Sequence, residues 1–96
     1  MVGVCRLDLR LPEASSLKDK RQVVKSVIAR TQAKFGVAAA EVENNDVWQI
    51  ASLGIACVST SRAHADEVLR NVVQYVESSR PDLEVINCDV EILQGL

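Results

Sequence analysis

The spacing of apolar residues switches repeatedly along this 96-residue chain, and these switches constrain its fold more than any other feature. In two stretches apolar residues recur every three or four positions, which is the period of one helix face. Four other stretches alternate apolar with polar residues or are rich in β-forming residues, as strands are. Read in order, the sequence predicts strand, helix, strand, strand, helix and strand.

Alternation predicts the first and last strands. In the first strand charged residues separate the apolar ones, and Pro12 ends it because proline has no amide hydrogen to donate. Its apolar positions are Cys5, Leu7, Leu9 and Leu11, and those of the last strand are Ile86, Cys88, Val90 and Ile92.

Between the two helices, the sequence predicts a pair of strands. Residues 37–42 favour a short strand, residues 43–46 a turn, and residues 47–59 a longer strand. Strands joined by so short a turn are typical of an antiparallel hairpin.

Capping residues mark the ends of both helices. Ser16 is a candidate N-cap of the first helix and Gly36 suits its C-terminal cap, whereas Thr60 or Ser61 begins the second helix and Pro81 ends it. The apolar stripes are Val24, Val27, Ile28, Thr31 and Phe35 in the first helix, and Ala65, Val68, Leu69, Val72, Val73 and Val76 in the second.

The order βαββαβ, with right-handed crossovers, predicts a ferredoxin-like α+β sandwich. A four-stranded antiparallel sheet then packs both helices against one face and leaves the other face uncovered. A chain of 96 residues is long enough for one such domain, spanning 1–96, and too short for two.

Charge is unevenly distributed along the chain. Residues 1–35 hold eight basic and three acidic residues, a net charge of +5, whereas residues 36–96 hold three basic and ten acidic residues, a net charge of −7. Such asymmetry indicates a polar interaction surface. The basic residues concentrate in the first helix, where the RNA-binding candidates are Lys18, Lys20, Arg21 and Lys25.

Three of these cations, Lys18, Arg21 and Lys25, fall within an arc of about 60° on a helical wheel, where they can engage one phosphate backbone. The alternative is a solvated helix face whose long side chains cover the edge of the core. The chain has three aromatic residues and lacks the Lys/Arg-Gly-aromatic pattern of RNA-recognition motifs. We therefore expect the helix and its preceding loop to contact the RNA backbone, and no base stacking on the sheet.

The uncovered sheet face is a second candidate site, because both alternate sets of residues in the long third strand are largely apolar. A homodimer, a partner protein or a small ligand could cover it, with Trp48, Ile50 and Ala56 as interface candidates. The alternative is a mildly apolar surface that stays exposed.

The same face is expected to carry charges on the flanking strands. Arg6, Asp8 and Arg10 would lie opposite Asp89 and Glu91 and form cross-strand ion pairs.

Few residues suggest enzymatic chemistry, and we expect no catalytic activity, metal or cofactor. His64 is the only histidine, and the three cysteines have no paired ligand spacing, which predicts buried, reduced thiols. Arg10 with Asn44 or Asn45 loosely resembles the phosphate-binding pair of acylphosphatases, but the glycine-rich phosphate loop is missing. Neither a secretory signal nor a long apolar run is present, which predicts a cytoplasmic protein without membrane or DNA partners.

Several short segments together resemble the small bacterial YlxP-like proteins: residues 16–21, 35–37, 40–42, 48–49 and 53–56. The resemblance implies a ferredoxin-like fold, no established activity, and genes that often lie beside those of ribosome-binding factor A and the initiation factor that delivers initiator tRNA. It therefore points to a ribosomal subunit or rRNA as the partner. The shared Leu-Lys-x-Lys-Arg stretch begins at Leu17, and Ala38 stands where relatives often have serine.

Overall fold

A computed structural model describes residues 1–94, which form four strands and two helices in the predicted order. The elements are β1 (Val2–Arg10), α1 (Leu17–Phe35), β2 (Ala38–Glu43), β3 (Ile50–Val58), α2 (Arg62–Ser79) and β4 (Glu84–Leu93). The strands pair antiparallel in the order β2-β3-β1-β4. Both helices pack against one face of this sheet, which confirms the ferredoxin-like prediction.

Side-chain and backbone caps determine where the helices begin and end. The Ser16 hydroxyl accepts a hydrogen bond from the amide of Asp19, and Gly36 adopts a left-handed conformation with φ of 64° that lets its amide donate to the carbonyl of Gln32. In α2, Ser61 is the cap, and its hydroxyl accepts from the amide of His64.

Alternate residues of the two central strands form the floor of the core. Leu7 and Leu9 of β1 lie beside Leu53 and Ala51 of β3, and all four are buried beneath the helices. Leu69 of α2 is equally buried. Burying a large apolar side chain stabilises the fold by about 2 kcal/mol. The pairing register of β1 and β3 is therefore strongly specified, because a slip of one residue would turn these buried side chains to solvent.

Three details differ from the sequence predictions. Strand β3 begins at Ile50 and not at residue 47, because the chain turns through residues 44–49. A bulge in β4 opposite Asp8 and Leu9 pairs Val85 with Leu9 and leaves Ile86 exposed. Cys88 is also exposed, because it lies on an edge strand that the helices cover incompletely.

One end of the sandwich brings together the loop after β1, the start of α1 and the turn between β2 and β3. The amide of Leu11 donates to the carbonyl of Gln49 at 2.8 Å, which joins the first of these segments to the third. Because α1 runs antiparallel to β1, its N-terminal turns lie at this same end.

Candidate nucleic-acid interface

Three exposed cations form the basic face of α1, defined here as Lys18, Arg21 and Lys25. They lie on one exposed arc of the helix beside the stripe that contains the buried residues Val24 and Val27, as the helical wheel predicts. Within residues 1–94 none of the three makes an ion pair with a carboxylate. Their charges are therefore available to an anionic partner.

Lys20 does not belong to this face, so its prediction as an RNA contact is wrong. Its side chain is 0% exposed, and its Nζ lies 2.7 Å from a carboxylate oxygen of Glu41. The ammonium also donates to the carbonyl oxygens of Asn44 and Val47, the latter at 2.6 Å. The physical reason is position: four residues before buried Val24, Lys20 falls on the inward stripe of α1.

This buried lysine anchors the turn between β2 and β3 to the helix. The carbonyl groups of Asn44 and Val47 accept hydrogen bonds from the ammonium, and the carboxylate of Glu41 adds an ion pair. Asn44 also adopts a positive φ of 62°, which orients the start of the turn. Sequence reasoning missed Glu41, although alternation from buried Val37 places it on the inward side of β2.

The other two cations of α1, Arg30 and Lys34, lie on a different side of the helix. The Lys34 ammonium stands 5.3 Å from the ring centre of Tyr75, and Tyr75 packs edge-on against Phe35. Because these contacts direct Lys34 towards α2, it does not extend the basic face.

A groove of about 480 Å³ runs between α1 and the edge strand β2. Its apolar lining comes from Val24, Ile28 and Ala29, and Arg21 and Lys25 stand over it. The Gln32 amide donates to the carbonyl of Ala39 at 3.3 Å and so holds the helix against the strand. The lining thus combines two cations with the carboxylate of Glu41, which is paired with Lys20.

The uncovered sheet face has a polar half built around Asp8, whose side chain is 17% exposed. The Ser52 hydroxyl donates to one carboxylate oxygen at 2.6 Å, and Asn87 donates to the other at 3.2 Å. The Asn44 amide donates in turn to Ser52. The bond from Ser52, followed by those from Asn87 and Arg6, lowers the pKa of Asp8.

The ion pairs on this face differ from the predicted ones. Arg6 binds both carboxylate oxygens of Glu43 and also contacts Asp8, so neither Asp89 nor Glu91 is its partner. The bond to Glu43 is the main cause of the raised pKa of Arg6. The bulge in β2 at residues 41–43 explains why Arg6 pairs with Glu43, because the bulge turns Glu43 towards the centre of the uncovered face.

The remaining charge of β1 pairs elsewhere too. Arg10 lies 3.7 Å from Glu84 across the β1–β4 ladder, with both side chains more than half exposed. The Asn44 amide is engaged with Ser52. Arg10 and Asn44, two of the loosely acylphosphatase-like residues, therefore both have partners within the sheet and its turn.

The other half of the uncovered face is an apolar groove of about 690 Å³. Val4, Ala40, Val42 and Ala56 contribute to its lining, as does Gly54. A Cβ atom at Gly54 would stand 2.8 Å from a methyl group of Val42, so the glycine allows Val42 to fold over the strand.

The three predicted interface residues do not form one surface. Ala56 lines the apolar groove, whereas Ile50 lies at the opposite end of β3, about 20 Å away along the strand. Trp48 precedes the strand altogether and lies in the turn, where its side chain is 47% exposed. The sequence grouped all three because it began the strand at residue 47, whereas β3 begins at Ile50, and Trp48 and Ile50 line a separate cleft.

No group of three or more histidine, cysteine, aspartate or glutamate side chains in residues 1–94 is placed to hold a metal ion. Neither helix of that part of the chain is long and apolar enough to cross a membrane.

Comparison with known proteins supports the family resemblance. Residues 2–90 match the family described as "Protein of unknown function (DUF503)". The chain is 38% identical over 84 residues to the "Uncharacterized protein YlxP" of Bacillus subtilis (strain 168), covering 88% of this chain and 90% of that protein.

A structural comparison supports the fold. The chain resembles a de novo designed protein with ferredoxin fold, solved by solution NMR, with a TM-score of 0.65 over 99% of this chain and 88% of the designed one. Sequence identity is 13%, so the likeness concerns the fold alone.

Proposed function

This chain belongs to the DUF503 family of proteins of unknown function, and from that premise we propose that it associates with a ribosomal subunit by binding rRNA through the basic face of α1. The observation that carries the proposal is the exposure of Lys18, Arg21 and Lys25 on one arc without carboxylate partners in the described residues. We propose a cytoplasmic binding protein without catalytic activity.

Two further considerations support this reading. The buried pair of Lys20 and Glu41 neutralises one carboxylate beside the groove, so Glu41 does not cancel the field of the neighbouring cations. The YlxP-like resemblance adds a gene context of ribosome assembly and translation initiation.

The test is co-sedimentation of the full chain with ribosomal subunits on density gradients at low and moderate salt. The test variant replaces Lys18, Arg21 and Lys25 with glutamate. We expect the native protein to migrate with one subunit and the variant to remain at the top, because the variant repels phosphate. Helical content measured by circular dichroism should be unchanged, since all three side chains are exposed.

A matched control changes the net charge by the same amount elsewhere. Arg30, Arg62 and Arg70 are exposed and lie outside the basic face, so their replacement with glutamate should preserve subunit binding. If control and test variants lose binding equally, overall charge and not the basic face would be responsible. Unchanged binding by the test variant would contradict the proposal.

Salt dependence gives a quantitative check. Neutralising three phosphates predicts a slope of about −2 in log affinity against log salt, or a loss of about 20-fold from about 50 to about 200 mM. Binding that does not respond to salt would indicate a protein partner on the subunit.

The apolar groove on the uncovered sheet face favours a second candidate function, homodimerisation through that face. Its rim carries Arg6 together with Asp89 and Glu91, a mixture of signs that a second copy related by a twofold axis could complement. Replacing Ala56 with glutamate should then yield a folded monomer, measured by analytical ultracentrifugation. A native chain that is monomeric at high concentration would exclude this function.

A further inference from the structure

Trp48 combines an exposed aromatic ring with a defined cleft. Its side chain lies in the turn between β2 and β3 and borders a cleft of about 330 Å³. Arg10, Pro12 and Gln49 also line this cleft. A flat indole surface beside a guanidinium and a carboxamide has the chemistry that accommodates a nucleobase: a stacking surface, a cation for phosphate, and hydrogen-bonding groups for a base edge.

The turn that carries the indole is held on both sides. The amide of Leu11 donates to the carbonyl of Gln49 at 2.8 Å, and Lys20 donates to the carbonyl of Val47 at 2.6 Å. The two residues that flank Trp48 are thus bonded to different segments. An aromatic side chain on a fixed backbone loses little conformational entropy on binding, which favours its use as a binding residue.

The same contacts place the indole at the end of the molecule where α1 begins. Lys20 lies between Lys18 and Arg21 in sequence, and its single side chain spans the distance from the helix to the backbone of Val47. Trp48 is the next residue. The first turns of α1 and the exposed indole therefore lie at the same end of the molecule, with Lys20 pointing inward from α1 and the basic face pointing outward.

We propose that Trp48 stacks on an unpaired base of a single-stranded RNA segment whose phosphates lie along Lys18 and Arg21, with Arg10 contacting a flanking phosphate. This inference rests on the proposed function and deepens it by naming the RNA class. The bases of an A-form duplex are stacked inside the helix, so only a loop, bulge or single strand can offer a base face to the indole. Every base has such a face, so the contact should tolerate different sequences.

Arg10 is free enough for this role. Its contact with Glu84 is 3.7 Å long, and both side chains are more than half exposed, so the pair is weak and can open when phosphate approaches.

Trp48 is the only tryptophan of the chain, so tryptophan fluorescence reports on this site alone. The native protein is titrated at low salt with an oligouridylate of about 12 nucleotides, with duplex RNA of equal length, and with inorganic polyphosphate, which has charge but no bases. We expect the single strand to quench the emission, and polyphosphate to bind without quenching. Saturation by the single strand without any quenching would overturn the proposal.

Variants measured by anisotropy of a fluorescein-labelled oligouridylate provide an independent result. Trp48→Ala should weaken binding about tenfold, and Trp48→Phe, which keeps a smaller ring, should weaken it less. Val58→Ala is the matched control, because this exposed apolar residue lies at the far end of β3 and should bind as the native chain does. Circular dichroism and thermal melting verify that each variant is folded.

The outcomes separate this inference from the function on which it rests. In one outcome the oligouridylate binds with the expected salt dependence, and charge reversal of the basic face abolishes binding. If Trp48→Ala then binds as tightly as the native chain, the stacking role alone is refuted. If no RNA binds at low salt, both are refuted.

Discussion

Replacing Lys20 with methionine removes a charged group that is completely enclosed by protein. The substitution keeps most of the unbranched stem and deletes the ammonium, together with its contact to Glu41 and its hydrogen bonds to the carbonyls of Asn44 and Val47. The carboxylate of Glu41, whose side chain is only 15% exposed, then lacks its cation.

The expected loss follows from the partners that the lysine leaves behind. Two hydrogen bonds from a charged donor contribute about 1.5–3 kcal/mol each, partly offset because methionine needs no desolvation of an ammonium. Removing one member of a buried ion pair costs about 3–5 kcal/mol. We therefore expect Lys20→Met to lower the free energy of unfolding by about 3 kcal/mol, or the melting temperature by about 12–24 °C.

Urea denaturation followed by circular dichroism measures this loss. Lys25→Met is the matched control, since it makes the same chemical change on the exposed side of the same helix and should shift stability by less than about 0.5 kcal/mol. Emission from Trp48 should also move to longer wavelength in native Lys20→Met, because the turn loses its bond to the helix at the preceding residue.

A double variant tests the energetic coupling between Lys20 and Glu41. Lys20→Met combined with Glu41→Met should lose less stability than the sum of the two single variants. Each single variant leaves one buried charge without its partner, whereas the double variant removes both charges. If Lys20→Met does not fold, Glu41→Gln is measured in its place. This variant keeps the hydrogen bonds from Lys20 to the two carbonyl groups and should lower the free energy of unfolding by about 1–2 kcal/mol. A loss below about 1 kcal/mol for Lys20→Met would refute the anchoring role.

Three further predictions concern the sheet and its thiols. Because the pKa of Asp8 is lowered in the folded chain, the ionised carboxylate stabilises the fold fully above the ordinary pKa of 3.8, and this stabilisation is lost as pH falls through the folded pKa. Asp8→Asn should therefore reduce the loss of unfolding free energy at acid pH, measured by urea denaturation. An unchanged acid dependence would contradict this. Burial raises the pKa of the Cys5 thiol to about 12, whereas Cys88 is exposed, so a thiol reagent near pH 8 should modify Cys88 in a fast phase that Cys88→Ser abolishes. Gly3→Ala should lower the free energy of unfolding by about 1–3 kcal/mol, because the added Cβ would stand 2.9 Å from a methyl group of Leu69 inside the core. Thermal unfolding measures this loss, and unchanged stability would show that α2 shifts to accommodate the Cβ without loss of stability.

Much of the fold could be predicted because its information is local. Caps at Ser16 and Gly36 involve residues within four positions of each other, and the alternation of β1 needs no knowledge of its neighbours. The exposed positions of Lys18, Arg21 and Lys25 follow from helical geometry in the same way.

The failures all involve partners distant in sequence. Lysine is rarely buried, and only the approach of Glu41 and of the turn after β2 makes the burial of Lys20 tolerable. The bulge that brings Glu43 to Arg6 depends on how β2 pairs with β3. Local periodicity places Lys20 and Glu41 on the inward sides of their elements, but the residues that flank each contact do not identify its partner.

The sequence by itself thus determined the order and boundaries of most elements, the sandwich they form and the basic face of α1, because periods of two and 3.6 residues are properties of the chain alone. The tertiary structure decided which cations stay free, where the indole of Trp48 lies and which carboxylates Arg6 binds. Those outcomes depend on desolvation and on contacts between segments that lie far apart along the chain, so they arise only when the segments pack together.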